Sequence, residues 1–197
     1  MALKPWLVTE RSVAFSARLW QVERSTRGRE GQRGGHEFHV IRIPDFVNVI
    51  PVTEAGEIVL VRQFRQAIEA PTIELPGGLV DEGERDPAAA GRREMIEETG
   101  YDAPRLVSLG TVQPNPALLA NVCHVFAAPG ARRVSEAHST DTEEVETIVV
   151  PASRVDAMIA SGEIANVLTI GCLRLWQLKN ATAEAQRTQR RDQNQCS

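Results

Sequence analysis

Glu94, Glu97 and Glu98 stand at i, i+3 and i+4 within a segment punctuated like a helix. On a helix these offsets share one face, so three carboxylates project side by side. Like charges so placed oppose the helix unless a cation lies among them. A hard divalent ion taken by carboxylate oxygens, Mg²⁺ or Mn²⁺, would supply it. Arg92 and Arg93 would relieve part of the repulsion instead, and a glutamate-rich face can also be merely solvated. What favours the metal is the chain just upstream. Thr72-Ile-Glu-Leu75 reads as a short strand, and it enters Pro76-Gly-Gly78, where extended structure should stop. Gly77, Gly78 and Gly83 let backbone pass close to an anionic ligand or a metal, and the helix follows at once. A metal held by a few carboxylates keeps open positions for substrate phosphates.

The elements that must hold this segment are readable in outline. Asp86 is a suitable N-cap, Pro87 suits the first helical position, and Gly100 supplies a left-handed stop. Gly91, inside the helix, costs roughly 1 kcal/mol against alanine. Strands are predicted at Val13–Val22, Phe38–Ile43, Val47–Val52, Ile58–Val61, Leu106–Val112, Val122–Ala127 and Val145–Val150, with a turn at Glu54–Gly56. Further helices are predicted at Val155–Ser161, closed by Gly162, and at Val167–Leu178. Arg24–Gly35 is basic and glycine-rich; it reads as a loop between strands, and its composition also permits phosphate contact. Beyond Lys179 there is hardly an apolar residue, which predicts fraying or disorder. Strands with interspersed helices make the class mixed α/β.

Composition sets the bounds. A chain of 197 residues with 42% hydrophobic and 24% charged residues can bury a core. Its formal net charge of −4 gives no general attraction for nucleic acid. No apolar run approaches the roughly 18 residues of a membrane span. Met1–Glu10 has no long apolar stretch, so no secretory signal is expected. Cys123, Cys172 and Cys196 are scattered and odd in number, which suits a reduced, cytoplasmic chain without a disulfide framework. His124, in an apolar run, reads as a core or pocket histidine rather than a ligand, and Trp20 as packing.

The stretch from Gly77 to Tyr101 resembles the Nudix box. Gly78 and Glu84 match its front half, and Arg93-Glu-Met-Ile-Glu-Glu-Thr-Gly-Tyr101 matches its back half in full. Arg85–Arg92 is one residue longer than the family's spacing. A bulge before Asp86-Pro87 would absorb the extra residue and keep the helix register, so the departure bears on Glu84 and not on Glu94, Glu97 or Glu98. The resemblance runs from about Val47 to Leu178. It implies a Nudix α/β/α sandwich with a mixed β-sheet, plus a small N-terminal β element. The implied divisions are a dimerising appendage at 1–45, the Nudix domain at 46–179 and a tail at 180–197.

Within that superfamily, Leu60-Val-Arg-Gln-Phe-Arg65, Ile73-Glu-Leu-Pro-Gly-Gly78 and Pro116 resemble the ADP-ribose and nucleoside-diphosphate-sugar hydrolases. This implies Arg65, Glu74 and Pro116 at the substrate pocket, and a homodimer. Asn115–His124 lacks the glycine and acidic residue of the ADP-ribose pattern, which widens the substrate toward nucleotide sugars in general. The resemblance also implies Mg²⁺ or Mn²⁺ held by Glu94, Glu98, Glu97 and the carbonyl of Gly77, with Arg93 orienting the glutamates through bidentate contact. Asp141-Thr-Glu-Glu-Val-Glu146 is either a solvated turn or, by resemblance, a second catalytic segment. In the latter case Glu143 is the ligand and Asp141 or Glu144 the base. Dinucleoside polyphosphates, coenzyme A and damaged nucleoside triphosphates are alternative substrates for the same fold. A sensor that binds a nucleotide without cleaving it is a further alternative, but the box keeps its glutamates and no helix-turn-helix pattern flanks it. No nucleic-acid or membrane partner is expected.

Overall fold

Alternation along Phe46–Thr53 (β4) sends Val47 and Val49 to one face of a sheet and Asn48 and Ile50 to the other, and all four are buried. A strand buried on both sides needs a layer on each. The computed structural model supplies both; it describes residues 4–31, 34–138 and 144–195, with side chains in the last helix described to Thr182 and at Gln186. The chain divides into two units, Met1–Asp45 with Gln113–Val122 and Phe46–Val112 with Cys123–Ser197.

The first unit is built on an antiparallel sheet of β1 (Leu7–Ser16), β2 (Gln21–Gly28) and β3 (His36–Arg42). The strand predicted over Val13–Val22 is broken by a hairpin turn, where Ala17 N donates to Trp20 O at 2.8 Å. The turn brings the Phe15 and Trp20 rings to 5.3 Å. Part of the basic segment is strand rather than loop: Arg24–Gly28 lies in β2 between β1 and β3. Buried Glu23 offsets positive charge there, meeting Arg11 and Arg42 each at 3.2 Å. Ile41 N donates to Leu118 O at 2.8 Å and Ala120 N to Ile41 O at 3.2 Å, which fastens the 113–122 segment to β3.

The second unit carries β4, β5 (Glu57–Arg65), β6 (Ala70–Glu74), β7 (Gly77–Leu79), α1 (Pro87–Thr99), β8 (Tyr101–Asp102), β9 (Val107–Val112), β10 (Cys123–Arg133), β11 (Val145–Pro151), α2 (Val155–Ser161) and α3 (Val167–Gln195). Among the described residues the sheet order is β11-β5-β4-β10-β8, with β6 on β5, β7 on β4 and β9 on β10. Only the β10–β4 pairing is parallel, so the sheet is mixed. Val47, Val49, Phe126 and Ala128 pack with Ala90 and Met95 of α1. Ile50, Leu60, Val125 and Val150 pack with Val155 and Met158 of α2 and Cys172 and Leu173 of α3. The result is the expected α/β/α sandwich.

Three departures from the predicted elements have local causes. Extended structure resumes at Gly77–Leu79, because β4 offers Phe46–Asn48 as a pairing edge. β10 continues past Ala127 through Pro129-Gly130 by an irregularity in register between Pro129 and Ala131, with Gly130 at φ 72°. α3 runs to Gln195 instead of ending near Leu178. The residues beyond Lys179 are mainly Gln, Ala and Arg, without Gly or Pro, and such residues favour helix even where nothing is buried. Cys123 and Cys172 are free and buried, while Cys196 lies outside the described residues. No helix among the described residues is long and apolar enough to cross a membrane.

Candidate active site

β4 and β5 pair with each other only at Val52–Ile58. Beyond that point each takes another partner, β7 for β4 and β6 for β5. Pro76 O, between the two short strands, accepts from Val49 N at 2.9 Å. The divergence opens a cavity of about 800 Å³, in the range of small-molecule sites. Asn48 and Gln63 line it from the two diverging strands, Gly77 and Gly78 from β7, and Glu94 and Glu98 from α1.

The helix end points are those read from the sequence. The Asp86 side chain accepts from Ala88 N at 3.0 Å, Pro87 opens the helix, and Gly100 closes it at φ 71°. This register turns Glu94 and Glu98 toward β7. Gly77 N donates to Glu98 Oε2 at 2.8 Å. The Glu94 carboxylate lies where a Cβ on Gly78 would be, so the glycine is what admits it. A Cβ on Gly77 would overlap the carbonyl oxygen of Val47 and approach Asn48 Oδ1 to 2.6 Å. Both glycines are therefore required by close approach. Gly91 has the same explanation one turn earlier on α1: its Cβ would meet methyls of Val47 at 2.9 Å and Val49 at 3.0 Å. The cost read from the sequence is offset by a closer seat of α1 on β4.

Arg93 is the hub of the acidic face. Its Nη1 donates to Glu94 Oε1 at 2.8 Å and to Glu97 Oε2 at 3.3 Å. Its Nη2 donates to Leu79 O at 3.4 Å and lies 3.5 Å from Glu84 and 3.6 Å from Asp81. The contact is thus one nitrogen shared by two glutamates, in place of the expected bidentate grip. Burial opposes the charge on Arg93, but the hydrogen bond to Glu94 and the fields of Glu94, Glu97 and Glu84 outweigh it and raise its pKa further. Glu84 reaches this cluster despite the extra residue in Arg85–Arg92. Gly83 at φ 101° and the bond from Glu84 N to Asp81 O at 2.9 Å form the turn before it.

On the other wall, Arg65 and Glu74 form a two-pronged pair, Nε to Oε1 and Nη2 to Oε2, both at 2.9 Å. Thr72 Oγ1 adds a bond to Glu74 Oε1 at 2.5 Å, and the Asn166 side chain lines the same cavity. Burial pushes the Glu74 carboxyl up, yet Arg65 and Thr72 outweigh it and hold it below the ordinary carboxylate value.

The candidate residues do not all meet. Glu94, Glu98, Gly77, Arg65 and Glu74 line the cavity. Glu97 does not; its side chain is 53% exposed and is engaged by Arg93. Glu144 is exposed, precedes β11 and is not among the lining residues. Asp141 and Glu143 lie outside the described residues. Pro116 sits in the turn where Leu118 N and Leu119 N bond to Asn115 O, and is not among the lining residues. His124 occupies β10 between Val47 and Thr111, also away from the lining, and Trp20 packs on Phe15. Asn48, Gln63 and Asn166 were not anticipated. The polar Asn48 and Gln63 within apolar strand runs were the available signal, since a buried polar side chain in a strand needs a purpose.

The donor set suits a hard divalent cation. Two carboxylates on adjacent turns of one helix share the cavity, and the glycines of β7 let them lie close against its backbone. Among the described residues no three His, Cys, Asp or Glu side chains converge into a cage. The pair Glu94 and Glu98 is of the kind that holds Mg²⁺, one or two carboxylates completed by water and substrate phosphates.

Residues 43–167 match the NUDIX domain model. The ADP-ribose pyrophosphatase of Bacillus subtilis (strain 168) is 32% identical over 143 residues, covering 72% of this chain and 77% of that protein. The GDP-mannose pyrophosphatase of Salmonella typhimurium (strain LT2) is 35% identical over 121 residues, covering 57% and 62% respectively. A crystal structure of an ADP compounds hydrolase superposes with a TM-score of 0.78 at 18% identity, over 93% of this chain and 98% of that one, a likeness of fold. The box residues around the cavity and a family match over more than half of the sequence agree, and the chain belongs to the Nudix family.

Proposed function

We propose that the chain is a divalent-metal-dependent pyrophosphohydrolase that cleaves the diphosphate of ADP-ribose or a related nucleoside-diphosphate sugar to a nucleoside monophosphate and a sugar phosphate. The observation that carries this is one cavity with Glu94 and Glu98 on one wall and the Arg65–Glu74 pair on another. The first wall suits a cation and the second an anionic or polyhydroxylated substrate. The relatives named for ADP-ribose and GDP-mannose hydrolysis support the same substrate class.

Glu94 and Glu98 would hold Mg²⁺ or Mn²⁺, with the carbonyl of Gly77 as a further donor. When bound, the ion neutralises the diphosphate and lowers the pKa of the attacking water. Gly77 N fixes the Glu98 carboxylate, and Arg93 fixes Glu94 while balancing Glu97. Arg65, held flat by Glu74, is the substrate contact on the far wall. The proton of the attacking water is assigned to Asp141 or Glu144, with Glu143 a further metal ligand. Residues 1–45 serve a homodimer, and 46–179 carry the activity.

The test is metal-dependent hydrolysis across ADP-ribose, UDP-, GDP- and ADP-sugars, diadenosine polyphosphates, coenzyme A and nucleoside triphosphates. A secondary phosphatase would report the monoesters released. Cleavage of diphosphate sugars supports the proposal; exclusive release of pyrophosphate from triphosphates overturns the substrate class.

A further inference from the structure

Gln63 belongs to β5 and lines the cavity with only 9% exposure. Residues two apart on a strand share a face, so Gln63 continues the row of Val59 and Val61, both fully buried, and precedes Arg65. The backbone of Gln63 is engaged by its neighbours. It pairs with Thr72 of β6 and Val145 of β11, and its carbonyl accepts from Thr72 Oγ1 at 3.5 Å. The side-chain amide, by contrast, makes no hydrogen bond among the described residues. Its polar neighbours in the wall are held. Asn48 Nδ2 donates to Cys172 Sγ at 3.9 Å, Thr72 Oγ1 turns to Glu74, and Glu94 and Glu98 accept from Arg93 and Gly77. A buried amide without a partner destabilises a fold, and an apolar side chain would continue the row better. The glutamine is therefore suited to a group that arrives from outside.

We infer that Gln63 is a specificity-determining residue, whose amide hydrogen-bonds an uncharged group of the substrate that both donates and accepts, a sugar hydroxyl or the edge of the base. This rests on the proposed substrate lying in this cavity. An amide offers two donors and an acceptor and carries no charge. The phosphates are anionic acceptors, and a cation on Glu94 and Glu98 and the guanidinium of Arg65 meet them more strongly. What is left for a neutral amide is the part of the substrate that carries O–H or N–H beside a lone pair.

The test is Gln63→Met, which keeps an unbranched side chain of similar length and removes both hydrogen-bonding functions. Three measurements compare it with the unmodified chain: thermal unfolding without ligand, hydrolysis with Mg²⁺, and calorimetric binding of α,β-methylene ADP-ribose, whose diphosphate bridge cannot be hydrolysed. The kinetics use ADP-ribose, analogues that each lack one ribose hydroxyl, and the guanine counterpart. On ADP-ribose kcat/KM is expected to fall about tenfold, the effect of one hydrogen bond whose other partner is left unpaired. The fall should shrink to within about twofold on the analogue that lacks the group Gln63 meets. That analogue is one of the deoxy compounds if the group is a hydroxyl, and the guanine counterpart if it is the base. The Tm without ligand should match or exceed that of the unmodified chain, because no bond within the fold is lost.

An unchanged kcat/KM for ADP-ribose overturns the inference. So does an equal fall on every analogue, since that is only a change of cavity shape, and so does a marked loss of Tm, since the amide would then have a partner in the fold. Binding keeps the two claims apart. If the unmodified chain binds the methylene analogue but cleaves no diphosphate sugar, the proposed function fails, and weaker binding by Gln63→Met still supports the role of Gln63. If the unmodified chain cleaves and Gln63→Met binds and cleaves equally well, the role of Gln63 fails and the function stands. Neither binding nor cleavage by the unmodified chain overturns both.

Discussion

The backbone N–H of Gly77 donates to Glu98 Oε2 at 2.8 Å, across 21 residues of chain. This bond makes the glycine loop and the acidic helix one device, because the loop sets the rotamer of the carboxylate that faces the cavity. It also explains why glycine is needed at 77. The backbone must lie close against β4 to bring its N–H there, and a side chain would collide with the carbonyl of Val47.

Gly77→Ala follows from that relationship. Overlap with backbone cannot be relieved by a rotamer change, so destabilisation of about 1–3 kcal/mol is expected. Turnover should fall further than the unfolded fraction accounts for, because Glu98 loses its anchor. Urea denaturation together with kcat at a temperature where the variant is fully folded checks both parts.

Gly91→Ala sets two effects against each other. Helix propensity favours alanine by about 1 kcal/mol. The new methyl would meet Val47 and Val49 at 2.9 and 3.0 Å, and overpacking costs about 1–3 kcal/mol. Net destabilisation is expected, relieved when Val47→Ala is added. A double-mutant cycle in equilibrium unfolding would measure that coupling. A stabilised Gly91→Ala would show that α1 is not seated as described.

Glu74 gives a pH dependence with a definite sign. Its pKa in the fold is below its ordinary value of 4.5, because Arg65 and Thr72 outweigh the effect of burial. Stability from this group is fully present above pH 4.5 and is lost as pH falls through the folded value. Glu74→Gln should therefore flatten the fall in Tm below pH 4.5 and reduce Tm at pH 7. Thermal unfolding from pH 3 to 7 reads both.

Arg93→Lys tests the hub. An ammonium ion is compact and cannot meet Glu94, Glu97 and Leu79 O in the planar arrangement that the guanidinium reaches. With the carboxylates less firmly held, affinity for Mn²⁺ should drop about 10–100-fold, with little change in Tm. Mn²⁺ titration followed by electron paramagnetic resonance measures it.

Local signals explain what could be read before the fold was known. Asp86, Pro87 and Gly100 bound α1 through chemistry confined to a few residues, and the structure keeps those bounds. The hairpin at Ala17–Trp20 carries none of the usual Gly, Asn or Pro turn markers, so β1 and β2 fused into one predicted strand. Gly91 read as a cost because its compensation lies on β4, more than forty positions away. Arg65 and Glu74 carried a family pattern and do face the cavity. Asn166 carried none, and its place in the cavity depends on how α3 docks on the sheet. Glu97 shared the helical face with Glu94 and Glu98 by spacing, but Arg93 and solvent claim its carboxylate.

The most direct measurement is hydrolysis of ADP-ribose by the unmodified chain and by Glu98→Gln, with Mg²⁺ and after its removal by chelation, with products resolved by ³¹P NMR. AMP and ribose 5-phosphate are expected from the unmodified chain only when the metal is present. Turnover should be lower by orders of magnitude in Glu98→Gln, which keeps a near-normal Tm. Cleavage that persists without metal, or a folded, metal-saturated Glu98→Gln that turns over at the normal rate, would contradict the account.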